Sequence, residues 1–294
     1  MLKRVILPII LLLGFSGFVL HIHQPSSEYE IVFATKTGRD ADIAIIQPDG
    51  NGFKKLLDVN AADSGPSFSP DGKNMVFHSE RNGWWKIWTA DGNGDHVRQL
   101  SFPSRGADYD PTLSPDVKWV AFSSGRTGNE DIFLVPAKGG KERNLTAQAG
   151  DQRYPRWTAD GRIIYYQEIN DVFVVSLMDK DGGNQKTLDL GPGNNFMADM
   201  AADGRLVFSS DRGGQSDLYL ADEDGTNVRR ITDSGGMIDW RAKWSPDGTM
   251  IVFERSDRRT RSQVWLYDVK NDSARSITHR GYNYGPTWRL KFRK

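Results

Sequence analysis

The sequence predicts an all-β protein, a six-bladed β-propeller with four strands per blade, and three observations support this prediction. A seven-residue motif recurs at starts 45, 44, 43, 44 and 44 residues apart, in PSFSPDG (66–72), PTLSPDV (111–117), PRWTADG (155–161), ADMAADG (198–204), AKWSPDG (242–248) and PTWRLKF (286–292). Short runs rich in β-forming residues follow each of the first five, and no helical period appears after the N-terminal segment. A repeat of about 44 residues with four short strands is typical of a propeller blade.

Turns separate the four predicted strands of each unit. The S-P-D-G segment follows the first strand and is predicted to form a tight turn. Proline fixes φ, aspartate caps the turn and glycine accepts a positive φ. A second run such as NMVFHS comes next, then a polar loop and a third run such as KIWTA. A turn rich in Gly and Asp leads to a fourth run, such as VRQLS. The third unit is the least regular, with TADG in place of SPDG.

The two ends of the chain complete one blade between them. Residues 286–294 supply only a first strand, whereas residues 29–57 supply only a second, a third and a fourth. We therefore predict that strands from both termini close the sixth blade, which leaves no unpaired edge where the ends meet. The predicted propeller domain covers residues 29–294.

The N-terminal segment, residues 1–23, is the most apolar part of the chain. Lys3 and Arg4 precede a nearly unbroken apolar run from Val5 to Leu20, a pattern typical of an export signal. Two interpretations stay open. The segment is a cleaved signal peptide, or residues 5–22 remain as an N-terminal anchor in the inner membrane, for which a span of roughly 17 residues is enough. Either way we expect a periplasmic or exported protein.

Composition excludes several functions. Lys and Arg number 38 and Asp and Glu also number 38, so there is no surplus of positive charge to hold nucleic acid, and we expect no such partner. The chain has no cysteine, which excludes thiol catalysis, cysteine-ligated zinc and disulfides.

The recurring pattern P-x-[WF]-S-P-D-G-x-x-[IV]-x-F-x-S-x-R-x-G-x-x-x-[IL]-[WYF] resembles the TolB-like β-propeller family, relatives of the WD-repeat proteins in bacterial envelopes. The pattern recurs in at least four units of residues 29–294. The resemblance implies a non-catalytic scaffold that binds an envelope protein or peptide, for example a peptidoglycan-associated lipoprotein. TolB itself has an α/β domain ahead of its propeller, and we expect this chain to lack that domain.

The most specific candidate site is found by counting back three residues from each motif. An Asp, Asn or Gln stands there in every unit: Asp63, Asp108, Gln152, Asn195, Asp239 and Asn283. The next position is aromatic in four units: Tyr109, Phe196, Trp240 and Tyr284. Because the first strand of each blade lines the channel of a propeller, we predict a polar ring with an aromatic surround near the channel mouth. The alternative is that each polar residue only caps a loop.

Two ligands would suit such a ring. The carboxylates of Asp63, Asp108 and Asp239 disfavour one another's ionisation unless a positive group lies between them. A calcium ion would accept this set of oxygens, and it is the one cofactor we consider. A peptide bearing Lys or Arg would meet the same need, with the aromatic residues as anchors.

A recurring arginine follows the second strand, as Arg81, Arg126 and Arg212, with Arg255 in the fifth unit. Its presence in most units predicts a hydrogen bond between blades, and the alternative is a ring of positive charge on one rim.

An enzyme is the alternative function. Propellers of this type also precede hydrolase domains, but no G-x-S-x-G motif occurs here. Some related propellers are metal-dependent lyases that use clustered histidines, whereas His78, His96 and His279 fall at three different places in the repeat. We expect no catalytic residue and keep a lyase or lactonase with a channel-bound cation as the alternative.

Overall fold

The computed structural model describes residues 28–291 except 37, 39, 103, 104 and 258. The predicted leader, residues 1–23, lies outside this range, as do residues 292–294 of the predicted closing strand. All regular elements in the described range are strands, and no helix there has the length and apolar character needed to cross a membrane.

Six antiparallel sheets of four strands confirm the predicted propeller. The chain enters through three strands of blade 6: β1 (Tyr29–Lys36), β2 (Ala41–Ile46) and β3 (Lys54–Leu57). Blades 1 and 2 follow: β4 (Asp63–Phe68), β5 (Asn74–Ser79), β6 (Lys86–Asp91), β7 (Arg98–Gln99), β8 (Asp108–Leu113), β9 (Trp119–Ser124), β10 (Asp131–Pro136) and β11 (Arg143–Asn144).

The remaining blades repeat the same order of strands. Blades 3 to 5 consist of β12 (Gln152–Trp157), β13 (Ile163–Ile169), β14 (Val172–Met178), β15 (Lys186–Thr187), β16 (Asn195–Met200), β17 (Leu206–Ser210), β18 (Asp217–Ala221), β19 (Arg229–Arg230), β20 (Ile238–Trp244), β21 (Met250–Ser256), β22 (Ser262–Asp268) and β23 (Ser273–Ser276). The chain ends in β24 (Tyr282–Leu290), the inner strand of blade 6.

Blade 6 is closed by both ends of the chain, as predicted. Strand β24 runs antiparallel to β1 from the pair Tyr29–Leu290 to the pair Lys36–Tyr282. The buried side chain of Trp288 packs edge-on against Tyr29, with 6.4 Å between ring centroids. Such a side chain contributes about 1.5–3 kcal/mol on burial.

Apolar side chains between neighbouring blades form the core. The second strand of every blade buries one aromatic ring at the same position of the repeat: Phe33, Phe77, Phe122, Tyr165, Phe208 and Phe253. Phe208 of blade 4, for example, packs in one cluster with Ile164 and Val175 of blade 3. The buried side chains on one face of each second strand therefore pack against the neighbouring blade.

A bulge at one point of every inner strand positions the channel side chains. The residue at this point has a left-handed backbone, with φ from +50° to +59°: Gly65, Asp110, Tyr154, Met197, Arg241 and Gly285. At Gly65 only glycine fits, because a Cβ atom would lie 2.5 Å from the His78 ring. The bulge inserts one extra residue, so the residues before and after it face the same side. Trp240 and Lys243, for instance, pair with Glu254 and Val252 of β21.

Candidate binding sites in and around the channel

The six polar residues predicted as a ring begin the inner strands, and each is at most 3% exposed. The carboxylate of Asp63 accepts two hydrogen bonds from Arg81 Nη2, at 2.8 and 2.7 Å. Asp239 accepts from Nε and Nη2 of Arg255, both at 2.7 Å. Burial raises the pKa of Asp63 and of Asp239, against the opposing effect of their arginines. These two carboxylates are therefore engaged by arginines of their own blades.

Two of the remaining four members also accept from an arginine of their own blade, and the other two donate to loop carbonyls. Asp108 accepts from Arg126 Nη2 at 3.0 Å and from Ser101 Oγ at 2.7 Å. Asn195 accepts from Arg212 Nη2 at 2.6 Å. Gln152 donates to the carbonyl of Gly150 at 2.9 Å, and Asn283 to that of Arg280 at 2.7 Å. These are the contacts expected of residues that cap loops.

The recurring arginine bonds mainly within its own blade, which the prediction of a hydrogen bond between blades did not foresee. Arg212 and Arg255 also donate to the carbonyls of Leu190 and Asp233, in the connections from the preceding blades, at 2.6 and 3.4 Å. Arg81 and Asp63, like Arg126 and Asp108, are 18 residues apart in one blade. We call the pairs Arg81–Asp63, Arg126–Asp108 and Arg255–Asp239 the clamps. They form because the end of the second strand of a blade, with the loop after it, lies beside the start of its first strand.

The predicted calcium ligands are not gathered into one site among the described residues. No three Asp, Glu or His side chains in the described ranges converge in a way that could hold a metal. The carboxylates of Asp63, Asp108 and Asp239 are bound by arginines of three separate blades. Calcium at this ring stays a prediction without a ligand set to support it.

The aromatic residues that follow the six polar residues form clusters at the end of the channel where the inner strands begin. The ring of Tyr109 lies 5.4 Å from His78 and 6.0 Å from Trp85. Tyr284 lies 5.7 Å from Tyr282. We call Tyr109, Phe196, Trp240 and Tyr284 the aromatic rim, and this end of the channel the rim end.

One part of the aromatic rim lines a cavity of about 780 Å³. Phe196 and Trp240 contribute to its wall, together with Phe173, which lies 6.4 Å from Phe196. Arg153, paired with Glu130 at 2.6 Å, also lines the cavity. The lining therefore combines aromatic and charged groups, an arrangement suited to a side chain of a partner protein.

A second set of channel side chains was missed by sequence reasoning. It lies on the same strand face as the aromatic rim, three residues further on, and consists of Ser67, Thr112, Arg156, Asp199, Lys243 and Thr287. We call this set the channel layer. Its members line a cavity of about 370 Å³ with residues of all six blades, including the S-P-D-G turns, so we call this the turn end. Hydroxyl groups occupy blades 1, 2 and 6, and charged groups occupy blades 3, 4 and 5.

The two cations of the channel layer form no close ion pair with the described residues, although the charge of Asp199 attracts both of them. Arg156 and Lys243 are each 7% exposed. Arg156 Nη1 donates to the carbonyl of Pro155 at 3.1 Å, and its buried Nε has no acceptor among the described residues. Burial, and then the charge of Arg156, lowers the pKa of Lys243 well below its usual range. Burial raises the pKa of Asp199, whose Oδ2 accepts from the backbone N–H of Trp244 at 2.9 Å.

The middle of the channel holds the left-handed residues. Arg241 lies 3.8 Å from Glu254, and Arg156 lies over the ring of Tyr154 at 4.0 Å. Asp110 donates its backbone N–H to Nδ1 of His78 at 3.3 Å. Burial lowers the pKa of His78 to about 4, so this imidazole is neutral at pH 7 and accepts through Nδ1.

Comparisons with known proteins support this architecture. Residues 191–291 match the family described as the TolB beta propeller domain. No curated protein matches the chain. A putative TolB from Agrobacterium tumefaciens superposes with a TM-score of 0.71 at 23% identity, covering 91% of this chain and 99% of that one. TolB from Acinetobacter baumannii gives a TM-score of 0.78 at 20% identity, covering 89% and 67%.

Propeller enzymes share the fold too. An oligogalacturonate lyase in complex with manganese superposes with a TM-score of 0.53 at 15% identity, covering 85% of this chain and 73% of that one. At these identities the likeness shows the fold, and function has to be argued from the site.

Proposed function

Because the chain is a TolB-like six-bladed β-propeller, we propose that it is an exported, non-catalytic scaffold that binds an envelope protein or peptide at the aromatic rim. The observation that carries this proposal is the cavity of about 780 Å³ lined by Phe196 and Trp240. Buried aromatic anchors surrounded by polar groups supply most of the binding energy at protein interfaces.

Exposed apolar side chains near the rim end extend this surface. Trp84 is 62% exposed in the loop between β5 and β6, and Phe102 is 70% exposed after β7. Both loops lie at the end of the blade where the inner strand begins. A partner that covers the rim end would remove these side chains from water as well.

The partner class follows from the leader and from the relatives. The apolar segment after Lys3 and Arg4 supports export, which would place the propeller in the periplasm. Two of the structural relatives are TolB proteins. A peptidoglycan-associated lipoprotein of the same bacterium is therefore the first partner to test.

The alternative, a metal-dependent lyase or lactonase, has weaker support. Within the described part of the chain the histidines do not gather with acidic residues into a metal site. His78 is enclosed by Trp85 and Tyr109, at 5.2 and 5.4 Å between rings. The scaffold is the function that this geometry favours.

The test is a binding titration of the full chain with the purified lipoprotein. The double variant Phe196→Ala with Trp240→Ala should weaken binding by about 30-fold or more, since anchors of this kind contribute about 2 kcal/mol or more. Phe53→Ala is the matched control, because Phe53 is 52% exposed in the loop between β2 and β3, at the turn end. Equal affinity of the double variant and the wild-type protein would show that the rim is not the site. No binding by the wild-type protein would exclude this partner.

A further inference from the structure

The turn end of the channel carries hydrogen-bond donors that the protein itself does not satisfy. Arg156 and Lys243 are the cations of the channel layer, and both line the cavity of about 370 Å³. The Nε atom of Arg156 is buried without an acceptor among the described residues. Lys243 Nζ forms no hydrogen bond or ion pair with the described residues; it lies 5.6 Å from the Tyr154 ring and is attracted by the charge of Asp199. A buried donor without an acceptor, such as Arg156 Nε, is rare in folded proteins because it costs free energy.

The nearby carboxylates do not fill this need. Asp199 Oδ2 is engaged by the backbone N–H of Trp244. Glu254 faces Arg241 and accepts from Ser262 Oγ at 2.8 Å. Asp110 lies towards the rim end and attracts Lys243 electrostatically, but no hydrogen bond joins the two.

The two cations also repel each other. The positive charge of Arg156 is one of the causes that lower the pKa of Lys243, although the two residues lie in different blades. Asp199, in the same cavity, attracts both cations and offsets one of the two positive charges. Like charges held together in a buried site are stabilised further when a second opposite charge lies between them. Thr112 and Thr287, on the opposite blades of the channel layer, add hydroxyl groups to the wall of the same cavity.

We infer that the turn end binds a small oxyanion, a carboxylate or a phosphate, between Arg156 and Lys243. An arginine fork and a lysine ammonium are the groups that recognise such anions. The cavity of about 370 Å³ is of the size that holds a small ligand. This site is separate from the aromatic rim and does not depend on the function proposed for it.

The experiment is calorimetric titration of the full chain with inorganic phosphate and, separately, with succinate, at an ionic strength fixed by sodium chloride. We expect saturable binding of one anion per chain. Lys243→Met and Arg156→Gln should each weaken it by about tenfold or more, the effect of losing one charge-assisted hydrogen bond. The stronger of the two anions identifies the chemical class.

Two controls keep the result specific. Lys118→Met removes a lysine from the S-P-D-V turn, where its side chain is 73% exposed, and should leave anion binding unchanged. The double variant Phe196→Ala with Trp240→Ala should also keep it, which separates this site from the rim.

A second measurement uses the wild-type protein alone, in case a channel variant fails to fold. Acetylation of Lys243, followed by mass spectrometry, should slow several-fold at saturating anion, whereas acetylation of Lys118 should not change. The inference is overturned if neither anion binds saturably, if both channel variants bind as the wild-type protein does, or if the anion leaves the acetylation of Lys243 unchanged.

Discussion

Two sets of buried charges lie along the same inner strands, and they are satisfied differently. In the clamp of blade 5, Asp239 and Arg255 share two hydrogen bonds of 2.7 Å. In the channel layer four residues further along the strand, Lys243 lies beside Asp199 and Arg156 without such a bond. Burial removes water from both sets, but only the clamps join a carboxylate to an arginine by hydrogen bonds. In the channel layer, Asp199 and Arg156 bond to backbone groups instead. The clamps therefore stabilise the blades, whereas the channel layer remains available to a ligand.

The largest expected effect comes from breaking a clamp. Arg255→Met leaves the carboxylate of Asp239 buried and unpaired, and we expect it to lower the free energy of unfolding by about 3–5 kcal/mol. Urea denaturation measures the change. Arg261→Met is the control, because the Arg261 side chain is 71% exposed and its ion pair with Asp257 should contribute less than about 1 kcal/mol. A loss of that small size for Arg255→Met would show that the clamps are not structural.

The acid sensitivity of His78 is the next largest effect. This residue lies between the two sets of charges, packed against Trp85, Tyr109 and the backbone of Asp110, with the positive charges of Arg156 and Arg241 nearby. Its folded-state pKa of about 4 is below the unfolded value of 6.5, so the unfolded chain takes up the proton first as the pH falls. Stability is therefore lost between pH 6.5 and 4, by roughly 3 kcal/mol.

The variant His78→Gln should lose less stability over that interval than the wild-type protein. Its amide keeps an acceptor for the backbone N–H of Asp110 but does not titrate. Denaturation at a series of pH values gives the difference between the two proteins, in which the titration of every other group largely cancels. Parallel curves from pH 6.5 to 4 would show that the imidazole is not buried in its neutral form.

The smallest effect on stability is expected in the channel layer. We expect Asp199→Asn with Lys243→Met to leave the free energy of unfolding within about 1 kcal/mol of the wild-type value, or to raise it, because replacing a buried charged pair is often neutral or stabilising. Thermal and urea denaturation test this. A loss comparable to that of Arg255→Met would place the channel layer among the structural charges and remove the contrast with the clamps.

The fold could be predicted from the sequence because each feature that specifies it lies within a single blade. The S-P-D-G turns, the recurring buried aromatic residue and the period of about 44 residues all act within one blade. Closure of blade 6 followed from counting strands at the two ends. The residues of the aromatic rim could be picked out for the same reason, since they keep one position in the repeat, and their role in binding stays a prediction.

The side of the inner strand on which each polar side chain lies could not be predicted. The bulge shifts the alternation by one residue, and nothing in the sequence marks Asp110, Tyr154 or Arg241 as left-handed. The clamp partner of Asp63 is 18 residues away, across a hairpin whose loop geometry decides the contact. The channel layer did leave a signal. Arg156, Asp199 and Lys243 stand at a motif position that carries a hydroxyl group in the other three units, but the spacing of the motif indicates only a strand and a turn.

The closure of blade 6 also sets the order in which the protein can mature. Thr35 and Asn283 share a hydrogen bond of 2.7 Å across 248 residues of chain, so the ring cannot close until the last strand has been made. At ordinary rates of synthesis this delay is on the order of tens of seconds. During that time β1 lacks its inner partner and the propeller stays incomplete. For a chain whose export begins during synthesis, the N-terminal segment emerges long before the last strand exists, so translocation would begin before the ring can close.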